Sequence, residues 1–325
     1  MRTADSSVVP PADRELMRGL GIAVVIITLL TASYWFLHRT YGRKFFDLTG
    51  RAQWIWAPHR VSSNLPVVFF ASRDFDLPER RHYTKIKILG DPEYTLYLNG
   101  RQIGARRTGD DRHLDLYDVS QLAKTGRNRI VVGVRSANGV GGLIVGIDIG
   151  PESENVVVTG SDWNIHRVWV GDLPRREPRA GATRPAILGQ PPSGRWNYLA
   201  LRPAPITDPP AKVIAPREIV SFRATVPVID SRRGVEVVIP TPMRAMMFDF
   251  KGVIGHVRLR LNGRQPVPPV ALVRLANTRE EAMAIEGLQR PFVFGEGEES
   301  VIDPQAKSFR YVVVYGGRAV AEVVK

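Results

Sequence analysis

The sequence predicts an all-β body behind one N-terminal transmembrane helix, with the body divided into two antiparallel, jelly-roll-like β-sandwich domains. Three observations carry this. One uncharged apolar stretch lies near the N-terminus. After it helical periodicity nearly vanishes, and short apolar or alternating runs recur between Gly, Pro, Asn and Asp. A proline-rich stretch then separates these runs into two sets.

The N-terminal tail, residues 1–18, precedes the predicted transmembrane helix over 19–38. Gly19 to Leu37 is nineteen residues without a charge. At about 1.5 Å per residue this is roughly 28 Å of helix, close to the hydrocarbon thickness of a bilayer. Tyr34 and Trp35 stand near its end, where amphipathic rings favour the membrane interface. A buried core helix would carry a polar stripe, and here the polar residues are Thr28, Thr31 and Ser33. A cleaved signal peptide would be shorter and end in small residues, not in Tyr-Trp-Phe-Leu-His-Arg. Arg2, Arg14 and Arg18 precede the stretch, and Arg39, Arg43, Lys44 and Arg51 follow it, so the positive-inside count is nearly balanced. Large domains translocate largely regardless of charge. The expectation is a single-pass protein of the bacterial inner membrane with a periplasmic C-terminal body.

The first sandwich is expected over 50–173. Its runs are Val67–Ala71, Tyr83–Leu89, Tyr94–Leu98, Arg129–Arg135 and Leu143–Ile149, with Asn99-Gly100 as a strong hairpin signal. Residues 174–216 hold ten prolines, including Pro191-Pro192 and Pro209-Pro210. Proline cannot donate to a sheet ladder, so this stretch reads as an extended linker laid across the first domain, not a central strand. The second sandwich follows over 217–325, from the runs Glu218–Val226, Val235–Ile239, Ala245–Phe250, His256–Leu261, Val270–Ala276 and Phe309–Val314. One soluble helix is expected from Thr278 to Leu288, with Thr278 and Glu281 spaced as a capping box.

Composition narrows the chemistry. The 325 residues are 44% apolar and 24% charged, which fits globular domains and excludes wholesale disorder. Without cysteine there are no disulfides, thiolate metal sites or cysteine nucleophile. Lys and Arg exceed Asp and Glu by 13, and residues 45–325 hold 39 basic and 29 acidic residues, which points to acidic partners. The basic residues are spread out (Arg80-Arg81, Arg106-Arg107, Arg175-Arg176, Arg232-Arg233), so a nucleic-acid site is not expected.

A series of short motifs resembles a known family. Trp54-Ile55-Trp56, Phe69 to Leu77, Tyr94 to Gly100, Tyr117-Asp118-Val119-Ser120 with Leu122, Gly126-Arg127-Asn128 and Gly141-Gly142-Leu143 resemble the galactose-binding-like jelly roll at the N-terminus of bacterial α-L-rhamnosidases. Phe248-Asp249-Phe250, Gly255 to Leu259 and Phe309 to Val312 with Gly316 resemble the β-sandwich that follows it there. The resemblance spans roughly residues 50–317. In those enzymes a helical toroid carries the catalytic carboxylates, and this sequence runs only eight residues past Gly317. The resemblance therefore implies ancillary domains alone, and no enzyme activity is expected.

The residues themselves offer little catalytic chemistry. Glycoside hydrolysis needs two carboxylates across a cleft. Asp110-Asp111, Asp115 and Asp118 lie in and after a hairpin, Asp118 at a position for which the resemblance implies a turn cap, and Glu296, Glu298 and Glu299 read as solvated acids of a loop. His38, His59, His82, His113, His166 and His256 form no metal-binding spacing, so no metal or cofactor is expected. Gly139-Val140-Gly141-Gly142 lacks the helix and lysine of a phosphate loop and reads as a turn. Trp54, Trp56, Trp163, Trp169 and Trp196 are the candidate ligand or partner contacts, with packing inside the fold or along a seam as the plainer reading. The functional expectation is a non-catalytic, membrane-anchored accessory subunit of a larger bacterial membrane complex, photosynthetic, respiratory or of the envelope. Its partners would be other subunits and the bilayer. The alternative is a tethered lectin-like protein that binds envelope glycan.

Overall fold

The computed structural model describes residues 11–58, 65–77, 83–109, 113–151, 154–178, 181–192, 200–232, 235–263, 270–284, 289–316 and 319–325. Helix α1 (Pro11–Thr49) leads into the strands β1 (Trp54–Trp56), β2 (Val67–Leu77), β3 (Thr84–Asp91), β4 (Glu93–Leu98), β5 (Arg101–Arg107), β6 (Leu114–Asp118), β7 (Gly126–Ser136) and β8 (Gly142–Ile149). Short strands follow: β9 (Val157–Val158), β10 (Asn164–His166), β11 (Ala182–Thr183), β12 (Ala186–Gly189), β13 (Leu201–Pro203) and β14 (Val213–Ile214). The chain closes with β15 (Glu218–Arg232), β16 (Val235–Leu261), β17 (Val270–Ala276), α2 (Arg279–Met283), β18 (Arg290–Val293), β19 (Ser300–Ile302), β20 (Lys307–Tyr315) and β21 (Ala319–Val324). The chain is mostly β, with one N-terminal apolar helix.

Two sheets enclose the first core. One runs β12-β1-β8-β3-β6-β13 with β9 on β8, and the other β11-β10-β2-β7-β4-β5. Alternation puts Ile86, Ile88, Val145 and Ile147 of the first sheet against Phe69, Tyr94, Leu96 and Val132 of the second, all buried. The β4–β5 hairpin turns at Asn99 and Gly100, both at positive φ (51° and 90°), the conformation that an Asn-Gly hairpin turn requires. The proline-rich segment supplies edge strands only: β11 pairs β10, β12 pairs β1, and β13 runs parallel to β6.

The C-terminal body is one sheet, β14-β21-β16-β20-β17-β18, with β15 and β19 also on β16. Three predicted strands, Val235–Ile239, Ala245–Phe250 and His256–Leu261, are one continuous β16. Prolines and glycines between the runs suggested breaks. Instead the strand bends at a bulge between Asp249 and Val253, where Lys251 and Gly252 take positive φ. The bend lets one strand serve both halves of the sheet, which close over Phe248, Val257, Phe292, Phe309 and Val323. The capping box of α2 forms as expected, with Thr278 Oγ1 accepting from Glu281 N and Glu281 Oε2 accepting from Thr278 N. This helix spans Arg279–Met283, and residues 285–288 of the expected helix lie outside the described residues.

Helix α1 extends beyond the predicted 19–38 at both ends. The apolar span Gly19–Leu37 is exposed throughout, and the side chains of Thr28 and Thr31 donate to the carbonyls of Val24 and Ile27 at 2.8 Å. The helix continues because its last turns belong to the body. Phe45 and Thr49 are buried, and Phe45 joins Ala52, Trp54, Leu89, Leu114 and Ile144 in a cluster on the outer face of the first sheet.

Candidate functional site

A cleft of about 1040 Å³ lies between the first sandwich and the C-terminal body. Its first wall is the rim where β4 and β5 of one sheet approach β6 of the other. Tyr94 points into the core, and its hydroxyl donates to Asp115 Oδ2 on β6 and lies 3.0 Å from the Tyr117 hydroxyl. Arg106 Nη1 donates to Asp115 Oδ1 at 2.8 Å, and His113 Nε2 stands 3.1 Å from the same oxygen. Burial pushes the Tyr94 phenol well above its ordinary pKa and the Tyr117 phenol up to about 12. Gly104 lets this network close, since a Cβ there would lie 2.4 Å from the Tyr117 hydroxyl.

The second wall includes Arg135 and Glu298, one end of a ladder of charge that crosses between the bodies. Glu93 on β4 stands opposite Arg107 on β5 and Arg135 on β7. Arg107 Nε donates to Glu93 Oε2 at 2.8 Å, and Arg135 pairs with Glu298 of the C-terminal body. Glu298 Oε2 also accepts from Gly295 N at 2.7 Å, which fixes the loop. Burial raises the Glu93 carboxyl above the usual range, against the pull of Arg107 and Arg135. Burial works to lower Arg135, but Glu298 and Glu93 hold its guanidinium above its ordinary value. Tyr97 and Trp169 sit side by side over this ladder, ring centroids 5.6 Å apart, and Phe70 backs Trp169 at 4.9 Å. Trp169 N donates to Glu296 O at 2.7 Å, a second tie between the bodies.

The predicted candidates separate clearly. Trp54 and Trp163 are fully buried, and Trp56 is 3% exposed against Phe69, so none of the three presents an open face to a ligand. Trp169 lines the cleft. Trp196, Asp110, Asp111, His59 and His82 lie outside the described residues. Gly19, Tyr34, Trp35 and Leu37 are on the exposed span, with the Arg39 guanidinium 5.0 Å from the Trp35 ring. Asp118 caps its turn, accepting from Ser120 N and Oγ, and these bonds hold its pKa below the usual range. Glu298 departs from the solvated loop expected of it: its side chain is 9% exposed because Arg135 is its partner. Gly139 to Gly142 form a turn around Trp56, whose indole donates to Gly139 O at 3.2 Å.

Sequence spacing gave no sign of a Ser72, His166 and Glu177 cluster. Ser72 Oγ lies 3.0 Å from His166 Nε2, and Glu177 Oε1 lies 3.2 Å from that same nitrogen. In a nucleophilic triad the acid orients the other ring nitrogen, leaving Nε2 for the serine. Here both partners share Nε2 and Ser72 is fully buried, so the cluster is a clasp that ties the extended segment to β2. Among the described residues no group of three or more His, Asp or Glu is placed to hold a metal ion.

No family model matches the chain, and no curated protein matches it. Similar solved structures include the α-L-rhamnosidase from Dictyoglumus thermophilum, at 16% identity and a TM-score of 0.48, with 84% of this chain and 35% of that one covered. The GH78-family rhamnosidase from Bacillus sp. GL1 matches at 17% identity and a TM-score of 0.42, covering 83% and 33%. The chain resembles part of the α-L-rhamnosidases. It spans about a third of their length. A lectin from Pleurotus ostreatus in complex with GalNAc matches at 13% identity and a TM-score of 0.39, covering 85% of this chain and 77% of that one.

Proposed function

We propose that the protein is a non-catalytic, membrane-anchored scaffold subunit that holds neighbouring subunits of a larger membrane complex through its β-rich body. The observation that carries this reading is the continuity of α1 into the body. Phe45 lies eight residues beyond Leu37, about 12 Å along the helix. The body thus begins at the headgroup layer, without a flexible linker. A signal sequence would share the length and composition of the span. A helix whose last turn buries Phe45 and Thr49, with Phe45 against Trp54 and Leu89, supports a retained anchor instead. A lectin on a tether gains from reach, whereas a body fixed to its span gains from a constant docking geometry. Two acids of the cleft support the same reading, since Asp115 is bound by Tyr94 and Arg106, and Glu298 by Arg135.

Extraction from native membranes in mild detergent, then size separation and mass spectrometry, tests the proposal. Co-migration with other subunits at fixed ratio is expected. Migration as a lone chain overturns it. A second reading, binding of envelope glycan, draws on the adjacent Tyr97 and Trp169 rings at the cleft. It requires measurable affinity for glycan fragments that Trp169→Ala abolishes, and a broad panel without binding at millimolar concentration would remove it.

A further inference from the structure

The strands β15 and β16 pair without interruption from Glu218↔Asp249 to Arg232↔Val235. Strand β20 supports β16 only from Ala245 inward, so from Arg223↔Arg244 outward the two strands pair with each other alone. Prolines fix which backbone groups face where. Pro227 stands opposite Pro240, and Pro242 opposite Thr225. Proline has no N–H to exchange, so these are non-hydrogen-bonded pairs. Counting by two along the same register, Arg223↔Arg244 is also such a pair, and Gly316 N donates to the outward Arg244 carbonyl at 2.8 Å. Two consequences follow. The Cα atoms of Arg223 and Arg244 are at the close spacing of about 4.5 Å. The backbone N–H and C=O of Ser221, Arg223 and Thr225 point away from β16, along the open edge of β15.

Like charges placed directly opposite each other on a sheet are destabilising. Elsewhere in this sheet arginines have acids: Arg310 meets Asp249 and Arg258 meets Glu322. Arg223 and Arg244 are both exposed and have no acidic partner among the described residues. Arg244 donates from Nε to Ser221 Oγ at 3.0 Å. The two guanidinium groups border a notch of about 600 Å³ with Ser221, Phe222, Pro242 and Met243. On the same edge Ile219 is 53% exposed. An edge arginine alone would be a guard against aggregation. A second arginine directly opposite, at a position where Gly316 N already takes the Arg244 carbonyl, adds nothing to the guard of the β15 edge.

We propose that the open edge of β15 and the Arg223–Arg244 pair receive an extended acidic segment of a neighbouring subunit, added as a further strand. A carboxylate on the added strand would lie beside Arg223 on the shared face and within reach of Arg244, while Ser221, Arg223 and Thr225 supply the ladder bonds. Pro227 ends the ladder at the outer side. The inference rests on the scaffold reading and names the chemistry of one partner.

The test uses the full chain in detergent micelles and a fluorescein-labelled eight-residue peptide of alternating Glu and Val, read by anisotropy. Wild type should bind it, and Arg223→Gln with Arg244→Gln should weaken binding at least tenfold. Arg223→Glu with Arg244→Glu should shift the preference to a Lys-Val peptide. The Gln pair should not lower the melting temperature, because it removes a like-charge contact, whereas the Glu pair exchanges one like-charge contact for another; Arg223→Gln alone serves as a milder variant. Absence of binding by wild type, or equal binding by the Gln variant, overturns the inference. So does loss of binding to phosphatidylglycerol–phosphatidylcholine vesicles with peptide binding unchanged, which would assign the pair to lipid. If wild type co-purifies with a complex and the Glu variant does so equally, this inference fails while the scaffold reading stands. If wild type co-purifies with nothing, the scaffold reading itself fails.

Discussion

At the scale of single residues, close approaches and buried polar groups set the sensitive positions. A Cβ at Gly141 would lie 2.1 Å from the Asp91 carbonyl and 2.3 Å from the Trp56 ring. Neither neighbour is a flexible chain end, so Gly141→Ala should cost at least about 1–3 kcal/mol, the usual cost of overpacking. A lower urea midpoint with an unchanged slope would show it. His166 gives a pH-dependent term. Burial lowers its pKa, with Glu177 pulling up and Arg129 pushing further down, so the ring is neutral in the fold and protonates more readily when unfolded. Its contribution is present above the ordinary histidine value and is lost as pH falls through the lowered one. The melting temperature should fall between pH 7 and pH 5, and His166→Asn should flatten that part of the profile. An unchanged profile in the variant would place the pH dependence elsewhere.

At the scale of elements, the decisive junction is the end of α1. Phe45 is 2% exposed among Trp54, Leu89, Leu114 and Ile144. Phe45→Ala removes a buried aromatic, and about 3–5 kcal/mol of body stability should go with it. Chemical unfolding in detergent would measure the loss. The same substitution should free the body relative to the span, seen as faster amide exchange over residues 45–56. The elements themselves were largely legible, because short apolar runs such as Val270–Ala276 recur between turn residues; that run is buried on both faces, by Ala271 and Val273 on one side and Ala276 on the other. What spacing missed was the unity of β16. Pro240 and Pro242 look like strand breakers, yet in a two-stranded ribbon an outward N–H has no ladder bond to lose. Glu298 was misread for a related reason. Its loop is polar in sequence, and only the docking of that loop on β7 brings Arg135 to it. Such partners are 163 residues apart, beyond any local pattern. The paired cleft aromatics were half legible: Trp169 stood out, but Tyr97 was indistinguishable from any strand tyrosine.

At the scale of the whole molecule, the two bodies are held together by few groups of high consequence. The seam has an apolar patch of Phe70, Val131, Leu173 and Val293, and beside it the ladder Arg107, Glu93, Arg135 and Glu298. The side chains of Arg135 and Glu298 are 10% and 9% exposed. Breaking a buried pair leaves the remaining charge desolvated without its partner, at a typical cost of about 3–5 kcal/mol. Arg135→Ala should therefore strip Glu298 of its counter-charge, while Glu93 keeps Arg107. Glu298→Gln should cost less, because Arg135 retains Glu93 and the amide oxygen can still accept from Gly295 N. The seam links bodies with separate cores, so its loss should uncouple them before it unfolds either one. Calorimetry should then show one transition in the wild type and two in Arg135→Ala, the C-terminal body melting first because its β15–β16 ribbon lacks a third strand. A single transition in Arg135→Ala, shifted by less than a degree, would mean that the apolar patch alone fixes the bodies. The proposed scaffold role requires this coupling, since α1 docks on one body and the β15 edge belongs to the other, and the two keep a constant spacing only while the seam holds.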